Sequence, residues 1–548
     1  MVVLHPVRAL SEEQETHPVA PVLDRIDLYL DHWGGLKPDA EFLIDGGPTF
    51  TGRRLSWTDT RREVDRVAAA LVGAGLEPGD RVAYLSDCRL DFFVHFLAAT
   101  SIGLIWQGLN PKYTWDELAY VVGDATPRIV FDGTTDGDSP AARLVAEVDG
   151  VERSIRVDGP DGASFMEGGA DLTATDLAAR RAAVEPLDPA FIVYTSGSTG
   201  RPKGALLTHH GVCYCGVTGG SARGNGGGKI ICCLPVNHVG SVSDICCRKM
   251  IGGGPIVFQE RFDPAATLAA IARERVQVWG GVPTMFQLCA NHPDFADADL
   301  SSIEQIAWGG AAMPAPVLER LLEATDAGRC TTGYGMTETT GGVMCTREGA
   351  DVDILTSTVG SPIEGHEYRI VTDDGRDADV GEQGEIHVRG DWLMAGYWNR
   401  PEATTDAIDA DGWLHTGDLA VLRPDGNVSI VGRLSEMFKS GGYNVYPREV
   451  ERCLEDHPAV QMASVVSIPD PVFDEVGHAF VVAAPDTGDE ADDLAAILDA
   501  HCRERLANYK VPKAIHVRDE LPRLAIGKVD RKALATEASA SASATAGS

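Results

Sequence analysis

The chain is short of positive charge. Its 548 residues carry 47 Lys and Arg against 81 Asp and Glu, a formal net charge of −34. A surface this acidic repels phosphate backbones and anionic lipid head groups, which argues against nucleic-acid or membrane-surface binding. It also sets a requirement. An anionic substrate needs a local group of cations or backbone donors, because the overall field opposes it. Long apolar runs are missing as well, and none approaches the roughly 18 residues of a membrane span. Residues 1–18 have no basic start, apolar core and small-residue cleavage site, so no secretory signal is expected and the cytoplasm is the natural compartment. The 12 cysteines lack metal spacing: Cys232–Cys233 and Cys246–Cys247 are adjacent, and Cys213 and Cys215 are one residue apart. None has the two-residue spacer of a zinc site, and neighbours in sequence are poorly placed to share an ion or to pair. They read as reduced core residues.

What is present is length with an ordinary apolar content. A chain of 548 residues, 44% of them apolar, is globular and too long for one core, so several lobes are expected. Val64, Val67, Ala68, Leu71 and Val72 recur at helical spacing before Gly73, Gly75, Pro78 and Gly79 stop the helix. Strand-like runs at 81–85, 129–131, 191–194, 229–234 and 277–279 alternate with helix-like stretches such as 265–275 and 315–322. This alternation predicts an α/β fold of layered, often parallel sheets. From about 359 to 431 short strands alternate with Gly/Asp turns, which predicts a small antiparallel β unit. After Gly432 a Gly-rich loop and a helix led by Pro447 open a new segment that runs to about 534. The expected division is therefore 1–432, 433–534 and a tail at 535–548, nearly all Ala, Ser, Thr and Gly and expected to be disordered.

The strongest local signal follows the 191–194 run: Tyr194-Thr-Ser-Gly-Ser-Thr-Gly-Arg-Pro-Lys-Gly204. Gly197, Gly200 and Gly204 let the backbone turn sharply and present N–H groups. Thr195, Ser196, Ser198 and Thr199 add hydroxyls, and Lys203 adds charge. Such a loop can hold a polyphosphate without a basic surface. It is not the common P-loop, because no Gly-Lys-Ser/Thr ending is present.

This segment resembles the adenylate-forming superfamily of acyl-CoA synthetases, coumarate-CoA ligases, luciferases and peptide-synthetase adenylation domains. Further motifs of that family follow in order along nearly the whole chain. They are Leu234-Pro-Val-Asn-His238, Trp308-Gly-Gly-Ala-Ala-Met-Pro314, Gly333-Tyr-Gly-Met-Thr-Glu-Thr339 and Gly412-Trp-Leu-His-Thr-Gly-Asp418. Gly432-Arg433 with Lys439-Ser-Gly-Gly-Tyr-Asn-Val-Tyr-Pro447, and Leu521-Pro-Arg-Leu-Ala-Ile-Gly-Lys528, complete the set. In character the chain is closest to an acyl-CoA synthetase.

The resemblance implies a large N-terminal domain, a smaller mobile α+β C-terminal domain, and an AMP-forming acid–thiol ligase that uses ATP, magnesium and coenzyme A. Both a carboxylate and ATP are anionic, so the site must offset repulsion with a metal, oriented donors and one movable cation. By resemblance, Thr195, Ser196, Gly197, Ser198, Thr199, Gly200 and Lys203 hold the β- and γ-phosphates. Thr337 donates to the α-phosphate and Glu338 holds the metal. Tyr334 stacks on adenine, with Gly309, Gly310, Ala311, Thr332, Gly333, Gly335 and Met336 around it. Asp418 accepts from the ribose hydroxyls and Arg433 contacts ribose or phosphate. Lys528 is the lysine of the adenylation step, and His238 is a gate near the carboxylate. Glu436 stands at the hinge, while Lys439, Gly441 and Gly442 line the path of the pantetheine thiol, so that one site serves two half-reactions.

The acid pocket is expected among Asn237, His238, Val239, Gly240, Trp308, Gly309, Gly341 and Gly342, by position relative to the motifs. Several of these are small, and no extra Arg or Lys is in view, which favours a bulky or elongated monocarboxylate. A homodimer is a further possibility. Three residues depart from the family's pattern: Thr332, Ser435 and Ile526. They leave open a ligase with weak adenylation that works on preformed acyl-adenylate. Acyl transfer to a carrier protein is a weaker reading, because no carrier-type Gly-Gly-x-Ser segment follows. A non-catalytic sensor of acyl-adenylate or nucleotide is weaker still, because Glu338, Asp418 and Lys528 are intact.

Overall fold

A computed structural model describes residues 21–47, 52–135, 139–169, 172–195, 201–224, 226–484, 493–523 and 529–546. The chain packs into two compact units, one of residues 1–368 with 388–414, the other of 369–387 with 415–548. The expected boundary at 432 thus falls inside the second unit, because residues 369–387 and 415–431 of the small β region cluster with the C-terminal part. Among the described residues no helix is long and apolar enough to cross a membrane.

The first unit holds two large sheets. Across the nine-stranded one the order is Ser361–Pro362, Gly341–Cys345, Arg329–Met336, Gln305–Gly309, Val278–Gly281, Ile230–Cys232, Ile256–Phe258, Glu41–Asp45 and Arg54–Ser56. The strands from Arg329–Met336 to Glu41–Asp45 run parallel, as the helix–strand alternation implies. The seven-stranded sheet places Pro189–Thr195 between Ile105–Leu109 and Lys203–Thr208. Helix starts are written locally. Ser56 caps Trp57–Gly73 with a reciprocal bond to Asp59, and Thr114 does the same for Trp115–Ala125 with Glu117. The periodic residues Val64, Val67, Ala68 and Leu71 are buried on the first of these helices.

The second unit has a five-stranded sheet built on the hairpin of Val460–Asp470 and Asp474–Ala483. Pro447–Glu455 and Leu494–Arg505 cover one face, burying Val450, Leu454, Val481, Leu498 and Cys502 together. The final segment is a helix, Arg531–Ala546, where disorder was expected. Alanine is the best helix former, and Leu534 and Ala538, one turn apart, are buried with Phe480 and Leu521. All 12 cysteines are free thiols and all but Cys330 are buried.

Three histidines of the first unit are folded neutral. Burial pushes His95, His209 and His366 from the ordinary 6.5 down to about 4. The unfolded chain takes up these protons near pH 6.5, whereas the folded chain refuses them until about pH 4. Stability is therefore complete above pH 6.5 and falls as pH drops toward 4, by about 1.4 kcal/mol per pH unit for each histidine. A thermal midpoint that stays level between pH 6.5 and 4.5 would contradict this.

Candidate active site

The expected site residues of the first unit gather at the carboxyl ends of its parallel strands, where ligands of open α/β sheets bind. Gln305–Gly309 and Arg329–Met336 run side by side, with Trp308 opposite Thr332 and Gly309 opposite Gly333. Gly310 follows with φ +80°, a conformation suited to glycine, and both Gly310 and Ala311 are exposed. Tyr334 beside them is half-buried. Gly335 sits at a bulge, where a Cβ would lie 2.1 Å from the Gly341 carbonyl oxygen, so only glycine allows that approach.

The turn after Met336 is tightly specified. The Met336 N–H donates to Thr339 Oγ1 at 2.8 Å, and that hydroxyl donates to the Gly341 carbonyl at 2.7 Å. Thr340 adopts φ +60°, a strained position for a β-branched residue. Hydrogen bonds hold it there: its hydroxyl donates to the Trp392 carbonyl at 2.8 Å, and its carbonyl accepts from Ser243 Oγ at 2.7 Å. Ser243 belongs to a π-helix, Gly240–Cys247, a wound form frequent at functional sites.

Thr337 and Glu338, 8% and 6% exposed, lie within this turn. Glu338 Oε1 accepts from Tyr397 Oη at 2.8 Å and faces Thr195 Oγ1 at 3.4 Å. Thr195 ends one strand of an antiparallel hairpin and stands opposite Lys203, the first residue of the other. The glycine-rich loop therefore joins two paired strands rather than a strand and a helix. Ser196, Gly197, Ser198, Thr199 and Gly200 lie outside the described residues, as do Ile526 and Lys528.

On the acid side, His238 is half-buried and its Nδ1 accepts from the Gly240 N–H at 3.0 Å. Asn237 and Val239 are buried, and the Asn237 amide donates to Tyr113 Oη at 2.6 Å. Gly342 donates to Asp244 Oδ1 at 3.4 Å, and a Cβ on Gly341 would meet the same oxygen at 3.1 Å. Trp308 is different. It is 3% exposed and belongs to the core with Trp279, Phe286, Met313 and Leu318. Thr332 is buried too, with its N–H and carbonyl both bonded to Thr346.

The second unit carries its own group. Asp418, 2% exposed, pairs with Arg433 directly opposite on the neighbouring strand, Nε to Oδ1 at 2.7 Å. The turn before it is pinned: Thr416 donates to the Ile386 carbonyl, and the Gly417 N–H donates to Glu385 Oε1 at 2.8 Å. Burial works to raise the Glu385 carboxyl, but hydrogen bonds with His387 and Gly417 outweigh it and leave it below its ordinary value. Gly441 and Gly442, at φ +58° and +85°, form the two-residue turn of a hairpin closed by Ser440 and Tyr443. Lys439 on that hairpin is exposed, and Glu436 is half-buried in a short helical turn before it.

Sequence reasoning missed Tyr397 and Glu385. Their signals were the short runs Gly384-Glu-Ile-His-Val-Arg-Gly390 and Gly396-Tyr-Trp398, whose glycines flank residues that touch the site.

A glycine-rich hairpin with a carboxylate beside it, and exposed small residues at parallel strand ends, form an arrangement suited to receiving a nucleotide. Residues 30–398 match the AMP-binding enzyme family and residues 449–528 match the AMP-binding enzyme C-terminal domain. The chain belongs to this family. It is 38% identical over 496 residues to a methyl-dioxo-octahydroindenyl-propanoyl:CoA ligase of Mycobacterium tuberculosis, covering 88% of this chain and 94% of that one. A feruloyl-CoA synthase from Amycolatopsis sp is 36% identical over 495 residues, covering 90% and 95%. Among solved structures, an ATP-bound RpMatB-BxBclM chimera matches with a TM-score of 0.79 at 28% identity, over 94% of this chain and 98% of the other. The protein is thus an AMP-forming acid–thiol ligase: ATP activates a carboxylic acid as its acyl-adenylate, and the acyl group passes to coenzyme A.

Proposed function

We propose that the chain is a magnesium-dependent ligase for a ring-bearing monocarboxylic acid, with Glu338 as the metal carboxylate. The observation that carries the metal assignment is the state of that side chain. Oε1 is engaged by Tyr397 and faces Thr195, whereas Oε2 accepts nothing among the described residues. An oriented carboxylate with one open oxygen beside a phosphate-binding hairpin fits a hard divalent cation. Such an ion supplies charge neutralisation on the triphosphate. Thr195 and Lys203 flank the loop that takes the β- and γ-phosphates, and Thr337 donates to the α-phosphate. Tyr334, Gly309 and Gly310 receive adenine, and Asp418 with Arg433 binds ribose. Lys528 and the Gly441–Gly442 turn, both on the second unit, serve the successive half-reactions. The buried free thiols support a cytoplasmic location.

The acid follows from the charge beside the expected pocket. The charged side chain against Gly341 and Gly342 is itself a carboxylate, Asp244, which disfavours a second carboxylate on the substrate. Two ligases similar to this chain are named for a bicyclic propanoyl and a feruloyl group, which supports a ring-bearing acid. Thioester formation from a panel of acids, read by mass, tests this. Aromatic and alicyclic monocarboxylates should exceed dicarboxylates of similar size by about 100-fold or more in kcat/KM, the scale set by one unfavourable charge in a shielded site. Preference for a dicarboxylate would overturn the assignment.

A further inference from the structure

We infer that Tyr397 is a positioning residue that aims the Glu338 carboxylate at the metal, a role that rests on the ligase reading above. Tyr397 is itself held firmly. It pairs with Ala205 on the strand that leaves the phosphate hairpin, while its N–H donates to Thr404 Oγ1 at 2.9 Å. The neighbouring Trp398 N–H donates to the Gly204 carbonyl at 2.7 Å, and the Met394 N–H donates to the Glu338 carbonyl at 3.0 Å. The 394–398 segment is thus bonded on one side to the hairpin and on the other to the metal turn. Tyr397 is where its side chain joins them.

Two contacts converge on that side chain. Its hydroxyl donates to Glu338 Oε1 at 2.8 Å, an ordinary O–H···O length, here to a charged acceptor. Lys203 Nζ lies 4.8 Å from the ring centroid, within range of a cation–π attraction. Bonding to Oε1 leaves Oε2 as the oxygen with no donor among the described residues, and it fixes the rotation of a carboxylate whose other contact among those residues is the longer one to Thr195. A carboxylate free to turn must be ordered by the metal itself, which weakens metal binding without removing charge.

Tyr397→Phe keeps the ring and the Lys203 contact and removes only the hydroxyl. Binding of Mn²⁺ with ATP, read by the loss of free-ion EPR signal, should weaken about 10-fold, the loss expected for one hydrogen bond to a charged group. The Mg²⁺ concentration for half-maximal pyrophosphate release should rise by a similar factor. Thioester formation from supplied acyl-adenylate should not change. In a Glu338→Gln background the same substitution should shift Mn²⁺ affinity less than about twofold, because the charge it acts through is gone. Equal Mn²⁺ affinity in the parent and Tyr397→Phe, or an undiminished effect in the Glu338→Gln background, overturns the role of Tyr397 and leaves the ligase reading intact. A parent chain that binds no Mn²⁺ with ATP overturns both.

Discussion

Lys528→Ala is expected to reduce acid-dependent pyrophosphate release by roughly 10²–10³-fold, the scale for losing one group that stabilises charge only in the transition state. Thioester formation from supplied acyl-adenylate and CoA should stay within about threefold of the parent, since that step no longer passes charge through the α-phosphate. The expectation rests on chemistry and on where the lysine falls. Attack by a carboxylate on a triphosphate brings two anions together in a chain of net charge −34, so a single cation delivered at that moment carries unusual weight. Arg523 and Val529, on either side of it in the sequence, pair through an antiparallel bridge, with Leu521 buried nearby. Equal loss in the two assays would remove the special role and leave Lys528 a general structural residue.

Glu338→Gln should cost a comparable 10²–10³-fold, roughly, in pyrophosphate release at millimolar Mg²⁺, with part of the loss recovered as Mg²⁺ is raised. The substitution keeps the shape of the side chain and a carbonyl acceptor for Tyr397, so the buried turn from Met336 to Gly341 should survive. What it removes is the charge that a hard cation selects. Unchanged Mg²⁺ dependence in the variant would mean that the carboxylate serves the turn and not the metal. The two substitutions separate cleanly, because only the second should respond to metal concentration.

Most of the fold was readable because it is regular. Strands at 81–85, 191–194 and 277–279, and helices at 265–275 and 315–322, appear within a few residues of their expected places. The glycines of the motifs were readable for a related reason: Gly310, Gly335, Gly441 and Gly442 each sit where a positive φ or a close backbone approach requires glycine. What stayed hidden depends on contacts far apart in sequence. Tyr397 reaches Glu338 across 59 residues and Gly417 reaches Glu385 across 32, and no local pattern announces either bond. Trp308 shows what a motif leaves unsaid about side-chain direction. Its place in a glycine motif pointed to the pocket, and alternation along its strand buries the indole in one cluster with Ile306. The final helix was concealed by composition, since alanine-rich sequence looks featureless until Leu534 and Ala538 are seen to share one face.

The two compact units do not follow one another along the chain. The smaller takes residues 369–387 from the middle of the sequence and resumes at 415, after the larger has reclaimed 388–414. A gene cut anywhere between codons 369 and 414 therefore leaves neither unit whole on either side of the cut. Dividing the protein for separate expression calls for an insertion-style design, in which 388–414 is excised from the small fragment and grafted onto the large one.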